Sequence, residues 1–128
     1  MNCIIIDDDL LSRKVLEGLI EKSDSLNLIG SYENPVDAFK AFDMPEPIDL
    51  IFLDMEMPEM NGLDATRHIR RLENKWASSI PIIAMTADAF SENIAECLGA
   101  GMDGHIAKPV DMKLVIKEIR RIKEEKRK

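Results

Sequence analysis

Apolar positions in this chain follow two periods. Short runs that are apolar on both faces, such as Ile4-Ile5-Ile6 and Leu50-Ile51-Phe52-Leu53, alternate with longer stretches of helical spacing. Strands are predicted over 3–7, 26–32, 48–54, 81–86 and 104–107. The second is more polar and belongs at a sheet edge; the others read as central parallel strands covered on both sides. Helices are predicted from 10 to about 23, 35 to about 43 and 63 to about 75, then from a Ser91 cap to Ala100-Gly101, and after Asp111. Leu11, Val15, Leu16, Leu19 and Ile20 keep helical spacing in the first. Val115, Ile116, Ile119 and Ile122 form the inward stripe of the last. Asp8 or Asp9 is placed to cap the first helix, and Asn34-Pro35 opens the second. Gly62 is expected to supply a positive φ in the loop after 54. Five βα units with no internal gap, joined by right-handed crossovers, make a three-layer α/β sandwich in one domain, 1–128.

Composition narrows the class. At 45% hydrophobic the chain is not disordered. No apolar stretch approaches the ~20 residues of a membrane span. Asp7, Asp8 and Asp9 interrupt the segment a signal peptide would need, so a cytoplasmic protein is expected. Cys3 and Cys97 form no Cys-x-x-Cys pair and read as reduced, buried thiols. The net charge of −7 argues against direct nucleic-acid binding. Residues 112–128 hold eight Lys/Arg and three Glu, a local +5, which suits the carboxyl end of a final helix. A linker toward a further domain is the other reading of that charge.

Where the strands end, the chemistry begins. The run at 4–6 ends in Asp7-Asp8, the run at 50–53 in Asp54, the run at 81–85 in Thr86 and the run at 104–107 in Lys108. Ligands of open α/β sheets bind beyond the carboxyl ends of the strands, so these side chains should converge. Two carboxylates ~5 Å apart repel by roughly 3 kcal/mol at an effective dielectric of 20. Either one protonates or a divalent cation sits among them. Oxygen ligands with waters left over suit Mg²⁺. A metal, the Lys108 ammonium and the Thr86 hydroxyl around one carboxylate make a pocket for a phosphoryl group, with Asp54, on the central strand, as nucleophile. Taken singly, Asp7-Asp8 are helix caps, Thr86 an ST-turn and Lys108 a surface lysine. Together they read as a site.

The chain resembles the receiver domain of two-component response regulators over nearly its whole length. The resemblance rests on Asp7-Asp8 after Ile-Ile-Ile, Leu53-Asp54-Met55-Glu56-Met57-Pro58, Asn61-Gly62, Met85-Thr86-Ala87 and Lys108-Pro109, in order and on βα units. It implies a flavodoxin-like (βα)5 fold with strand order 2-1-3-4-5. It implies that Asp54 accepts phosphate from a histidine kinase or histidine phosphotransfer partner. It implies Asp8, Asp54 and the Glu56 backbone carbonyl as Mg²⁺ ligands, with Asp7 acting partly through water. Lys108 would pair with the phosphoryl oxygens, before a cis bond to Pro109. Thr86 would swing toward the phosphate and report it to the helix 4–strand 5–helix 5 face, for a downstream output domain or protein or a phosphorylation-dependent dimer. Such a domain catalyses its own phosphorylation and slow dephosphorylation and turns over no metabolite. Receivers usually carry Tyr or Phe where this chain has His105, so switching here is expected to be pH-sensitive or to lean on Thr86; a half-exposed histidine with no signalling role is the plain alternative.

Two rival classes remain at this level. A Mg²⁺-dependent aspartyl phosphohydrolase is loosely imitated by Asp54-Met55-Glu56, but needs more chain to enclose a substrate. A degenerate receiver that binds partners without phosphorylation is disfavoured by the complete acidic and Lys108 set. Glu56 and Asp88 either bias access of the hydrolytic water or are solvated loop charges. Met55, Met57 and Met60 are expected to pack adaptably around the loop. His68 is expected to be exposed and silent, Trp76 to cover the gap before strand 4, and Arg67, Arg70 and Arg71 to form a solvated face.

Overall fold

The central strands can be apolar on both faces because both faces are covered. The computed structural model describes residues 1–58, 60–73, 77–87, 96 and 98–127. Its strands are β1 (Asn2–Ile6), β2 (Asn27–Tyr32), β3 (Leu50–Asp54), β4 (Ile82–Thr86) and β5 (Gly104–Ala107). They pair in parallel in the order β2-β1-β3-β4-β5. The helices are α1 (Leu10–Glu21), α2 (Pro35–Phe39), which tightens into a 3₁₀ turn at Lys40–Asp43, α3 (Gly62–Arg70) and a C-terminal helix (Met112–Arg127). Residues 96 and 98–100 are also helical. The predicted cap Ser91, and Trp76, Asp88 and Cys97, lie outside the described residues.

Alternation along the strands makes two cores. Ile5, Phe52, Ile83, Met85 and Ile106 pack against Leu16 and Ile20 of α1 and Val115, Ile119 and Ile122 of the C-terminal helix. Ile4, Ile6, Ile51, Leu53 and Ala84 pack on the other face against Ala38, Ala65 and Ile69 from α2 and α3. Each fully buried isoleucine contributes roughly 1.5–3 kcal/mol. Met57 is buried in this second core with Met55 and Met60 packed against it, as expected for loop methionines. Buried Cys3, its thiol pushed up to about 11 by burial, is inert.

Side-chain caps fix where α1, α2, α3 and the C-terminal helix begin. Asp9, rather than Asp8, caps α1, accepting from the Ser12 N–H at 3.1 Å and the Ser12 hydroxyl at 2.7 Å. Asn34 and Asn61 accept from the N–H groups of Asp37 and Asp64, each at 2.9 Å. Asp111 accepts from the Lys113 N–H at 2.9 Å. Gly101 follows the helical turn at 98–100 with φ +109°, the left-handed conformation of a helix end.

The structure corrects four sequence expectations. Leu11 and Val15 are 72% and 48% exposed, because the first turns of α1 border an open cleft beyond the strand ends. Helix α3 stops at Arg70, short of 75, where the Arg71 N–H donates to the His68 carbonyl and tightens the last turn. Gly62 has no positive φ; it is the first residue of α3. Arg70 does not lie on a solvated face. Its guanidinium donates to the Gly101 carbonyl through Nε and Nη2 (3.0 and 2.7 Å), to the Ala77 carbonyl (3.0 Å) and to Asp103 Oδ2 (2.9 Å). Asp103 Oδ2 in turn accepts the Ile82 N–H at 3.0 Å. One side chain thus ties the end of α3 to the entries of β4 and β5. His68 is exposed, as expected, and stacks on Phe39 at 4.2 Å.

Removing the guanidinium takes one donor from Asp103 and from each of two carbonyls. Arg70→Gln is expected to lower stability by about 2–3 kcal/mol in urea unfolding, and Asp103→Asn should add little on top. A wild-type midpoint for Arg70→Gln would show the network to be ornamental.

Candidate functional site

Strand register brings the sequence-predicted residues together. Ile6 is beside Leu53, Asp54 beside Met85 and Thr86 beside Ala107. The residue ending or following each of these strands therefore stands in one row: Asp7, Asp54, Thr86, Lys108. The hydrogen-bond ladder runs one residue past the strands and holds their backbones. The Asp7 N–H donates to the Tyr32 carbonyl at 3.0 Å, that of Met55 to the Met85 carbonyl at 3.0 Å and that of Lys108 to the Thr86 carbonyl at 2.8 Å.

Carboxylate oxygens of Asp7, Asp8 and Asp54 all lie within 4.8 Å of one another. Asp7 and Asp54 are buried and Asp8 is exposed. Lys108 Nζ sits 3.0 Å from Asp7 Oδ2 and 3.2 Å from Asp54 Oδ1, so one ammonium touches two of the three carboxylates. Burial and the neighbouring Asp7 charge push the Asp54 carboxyl up to about 7, against the opposing pull of Lys108. Burial alone would lower the Lys108 ammonium; the adjacent Asp7 and Asp54 carboxylates outweigh it and hold it above the ordinary lysine value. The cluster suits a small hard cation. Its donors are all oxygens, and Asp7 Oδ2, although buried beside Lys108, meets no donor with hydrogen-bond geometry. That leaves a lone pair available to an ion or its water shell.

The remaining candidates take lesser positions. Glu56 lies in the turn after β3, its side chain exposed and its N–H making a long, 3.4 Å contact to Asp54 Oδ1. Thr86 is buried at the end of β4. His105 is half-buried on β5, two residues or roughly 6–7 Å short of the strand end. Its backbone N–H, on the open edge of the sheet, donates to Glu118 Oε2 at 3.2 Å, and Arg121 holds Glu118 at 3.0 Å. The Lys108–Pro109 bond is cis. Sequence reasoning missed Arg13, whose Nη1 donates to the Asp7 carbonyl at 2.8 Å and braces the acidic end of β1. An arginine on an otherwise polar helix face gives no signal of such reach.

The raised Asp54 carboxyl predicts a pH dependence. Its folded value near 7 exceeds its unfolded value near 4, so the metal-free fold loses stability as pH rises between them. Without metal, Asp54→Asn is expected to be more stable than wild type at pH 7.5 by on the order of a few kcal/mol, with the gap closing toward pH 4. Urea titrations at four pH values read this directly; a gap that does not move with pH would contradict the crowding.

The family model of the response regulator receiver domain matches residues 3–120. Histidine kinase 2 of Arabidopsis thaliana is 32% identical over 136 residues, covering 92% of this chain and 11% of that protein. The chain spans about a tenth of the length of the curated relatives it matches. Among solved structures, the receiver domain of the histidine kinase CKI1 from Arabidopsis thaliana, complexed with Mg²⁺, is 32% identical with a TM-score of 0.76, covering 92% of this chain and 90% of that one. Chemotaxis protein CheY4 of Vibrio cholerae shares the fold at a TM-score of 0.82 and 19% identity, covering 94% and 97% of the two chains. With the sheet order, the row of strand-end residues and a match over residues 3–120 in agreement, the chain belongs to the response regulator receiver domains of two-component systems.

Proposed function

We propose that this receiver domain takes a phosphoryl group onto Asp54, with Mg²⁺, from the phosphohistidine of a kinase or phosphotransfer domain. The observation that carries the reading is the buried Asp54 carboxylate, 3.2 Å from Lys108 Nζ and clustered with the Asp7 and Asp8 carboxylates. Asp8, Asp54 and the Glu56 carbonyl would hold the ion, with Asp7 reaching it through water. Bound there, Mg²⁺ supplies positive charge against the phosphoryl oxygens. An Asp54 oxygen attacks phosphorus, the P–N bond breaks, and its electron pair leaves with the donor imidazole, giving an acyl phosphate. Lys108 turns from Asp54 to a phosphoryl oxygen, and the Thr86 hydroxyl donates to another. Thr86, and His105 two residues short of the β5 end, then bias the face between the helical residues 98–100 and the C-terminal helix toward its signalling arrangement.

The donor has a place to rest. A cavity of about 340 Å³ opens beside the acceptor, with Asp7 and Lys108 on its wall and Leu11, Val15, Pro109 and Val110 as apolar lining. Leu10 and Leu11, 59% and 72% exposed, continue that apolar surface along α1. A helical phosphotransfer domain presenting its phosphohistidine to Asp54 would cover it.

Incubation with a phosphorylated phosphotransfer domain and Mg²⁺ should place one phosphate per chain, and Asp54→Asn should take none. Leu11→Asp is expected to slow transfer from that protein donor about tenfold while leaving labelling by acetyl phosphate unchanged. Equal loss with both donors would remove the docking role, and full labelling of Asp54→Asn would misplace the acceptor. Continuous release of phosphate over many turnovers would favour a hydrolase instead.

A further inference from the structure

Gly62 opens α3 with backbone geometry that any residue adopts, and alanine is the better helix former at such a position. The reason for glycine is space. A Cβ at this position would lie 2.8 Å from the Asp54 carbonyl oxygen, 2.9 Å from Met55 Cα and 3.0 Å from Met55 Sδ. The first two are backbone atoms of the acceptor and its successor, held by the β3–β4 ladder, so they do not yield as a flexible side chain would. One hydrogen bond closes the contact, and a second braces from within α3 the turn that makes it. The Gly62 N–H donates to the Met55 carbonyl at 3.1 Å, and the Gly62 carbonyl accepts the buried Thr66 hydroxyl at 2.8 Å. The chain thus leaves this neck at Met55 and returns to it at Gly62, with Glu56 inside the loop and Met57 anchored in the core.

We infer that Gly62 is a positioning residue: its missing side chain lets the first turn of α3 rest on the Asp54–Met55 peptide and so fixes where the Asp54 carboxylate and the Glu56 carbonyl stand. Through its metal arm the inference rests on the proposed reading of the site, but its structural arm does not. By contrast, a Cβ on Gly18, inside α1, would meet nothing within 4 Å. That makes Gly18→Ala a control in which helix preference acts alone.

The test compares wild type, Gly62→Ala and Gly18→Ala by thermal unfolding in EDTA and by amide spectra with and without Mg²⁺. Gly18→Ala should melt slightly higher and bind Mg²⁺ as wild type does. Gly62→Ala should not gain stability, should shift the metal-free amides of residues 54–56, and should weaken Mg²⁺ binding roughly tenfold. If Gly62→Ala does not fold, Thr66→Val decides: it removes the brace on the first turn of α3 without adding bulk and should weaken Mg²⁺ about threefold, with Thr66→Ser restoring it. Metal-free amides at 54–56 and Mg²⁺ affinity both unchanged in Gly62→Ala, or unchanged affinity in Thr66→Val where that variant decides, would overturn the inference while leaving the acceptor reading intact. Wild type that shows no Mg²⁺-dependent shifts would instead sink the acceptor reading, and the metal-free spectra would still report on the neck.

Discussion

Charge crowding at the carboxyl ends of β1 and β3 is the constraint on which the site depends. Three carboxylates meet within 4.8 Å, two of them buried, and Lys108 alone among the described residues touches two of them as a cation. The formal excess is two negative charges. At separations near 5 Å each carboxylate pair costs roughly 3 kcal/mol at an effective dielectric of 20. The fold tolerates this by holding Asp54 partly protonated, which is the physical content of its raised carboxyl. A bound cation relieves the same repulsion without a proton. The site is therefore a place where positive charge is welcome.

The rest of the molecule supplies the rigidity that this crowding needs. Strands covered on both faces do not slide, because a one-residue slip would exchange the two cores. The ladder continues one residue past Ile6, Asp54 and Ala107, so the backbones of the site residues are as fixed as the strands. Asp9 starts α1 immediately after the acidic pair, and Gly62 seats α3 directly on the Asp54–Met55 peptide. Stiffness lies below Asp54 and open apolar surface beside the cluster, where Leu11 and Val15 border the cleft. The carboxylate cluster and the apolar surface thus share one rim of the sheet.

Much of this was legible in the sequence. Isoleucine runs ending in aspartate gave the strands and, through their register, the row Asp7, Asp54, Thr86, Lys108. Asn34, Asp111 and Gly101 act as the capping signals indicated. What failed did so for lack of a tertiary view. Periodicity placed Leu11 and Val15 on a helix but could not say which turns overhang the sheet. Gly62 was read through the glycine property most visible in sequence, conformational freedom, when the operative property is the absence of a Cβ next to the backbone of Asp54 and Met55. Arg70 looked like a solvated charge and Arg13 drew no notice, because the carbonyls they serve, at residues 101, 77 and 7, are not sequence features.

The account stands or falls on whether relief of crowding is what draws the metal. Calorimetric titration of metal-free protein with Mg²⁺ at pH 7, in buffers of different ionisation enthalpy, counts the protons released on binding. With Asp54 titrating near 7, about half a proton should leave per ion, and close to none at pH 9. Mg²⁺ binding that releases no proton at pH 7, with unchanged affinity in Asp54→Asn, would contradict it.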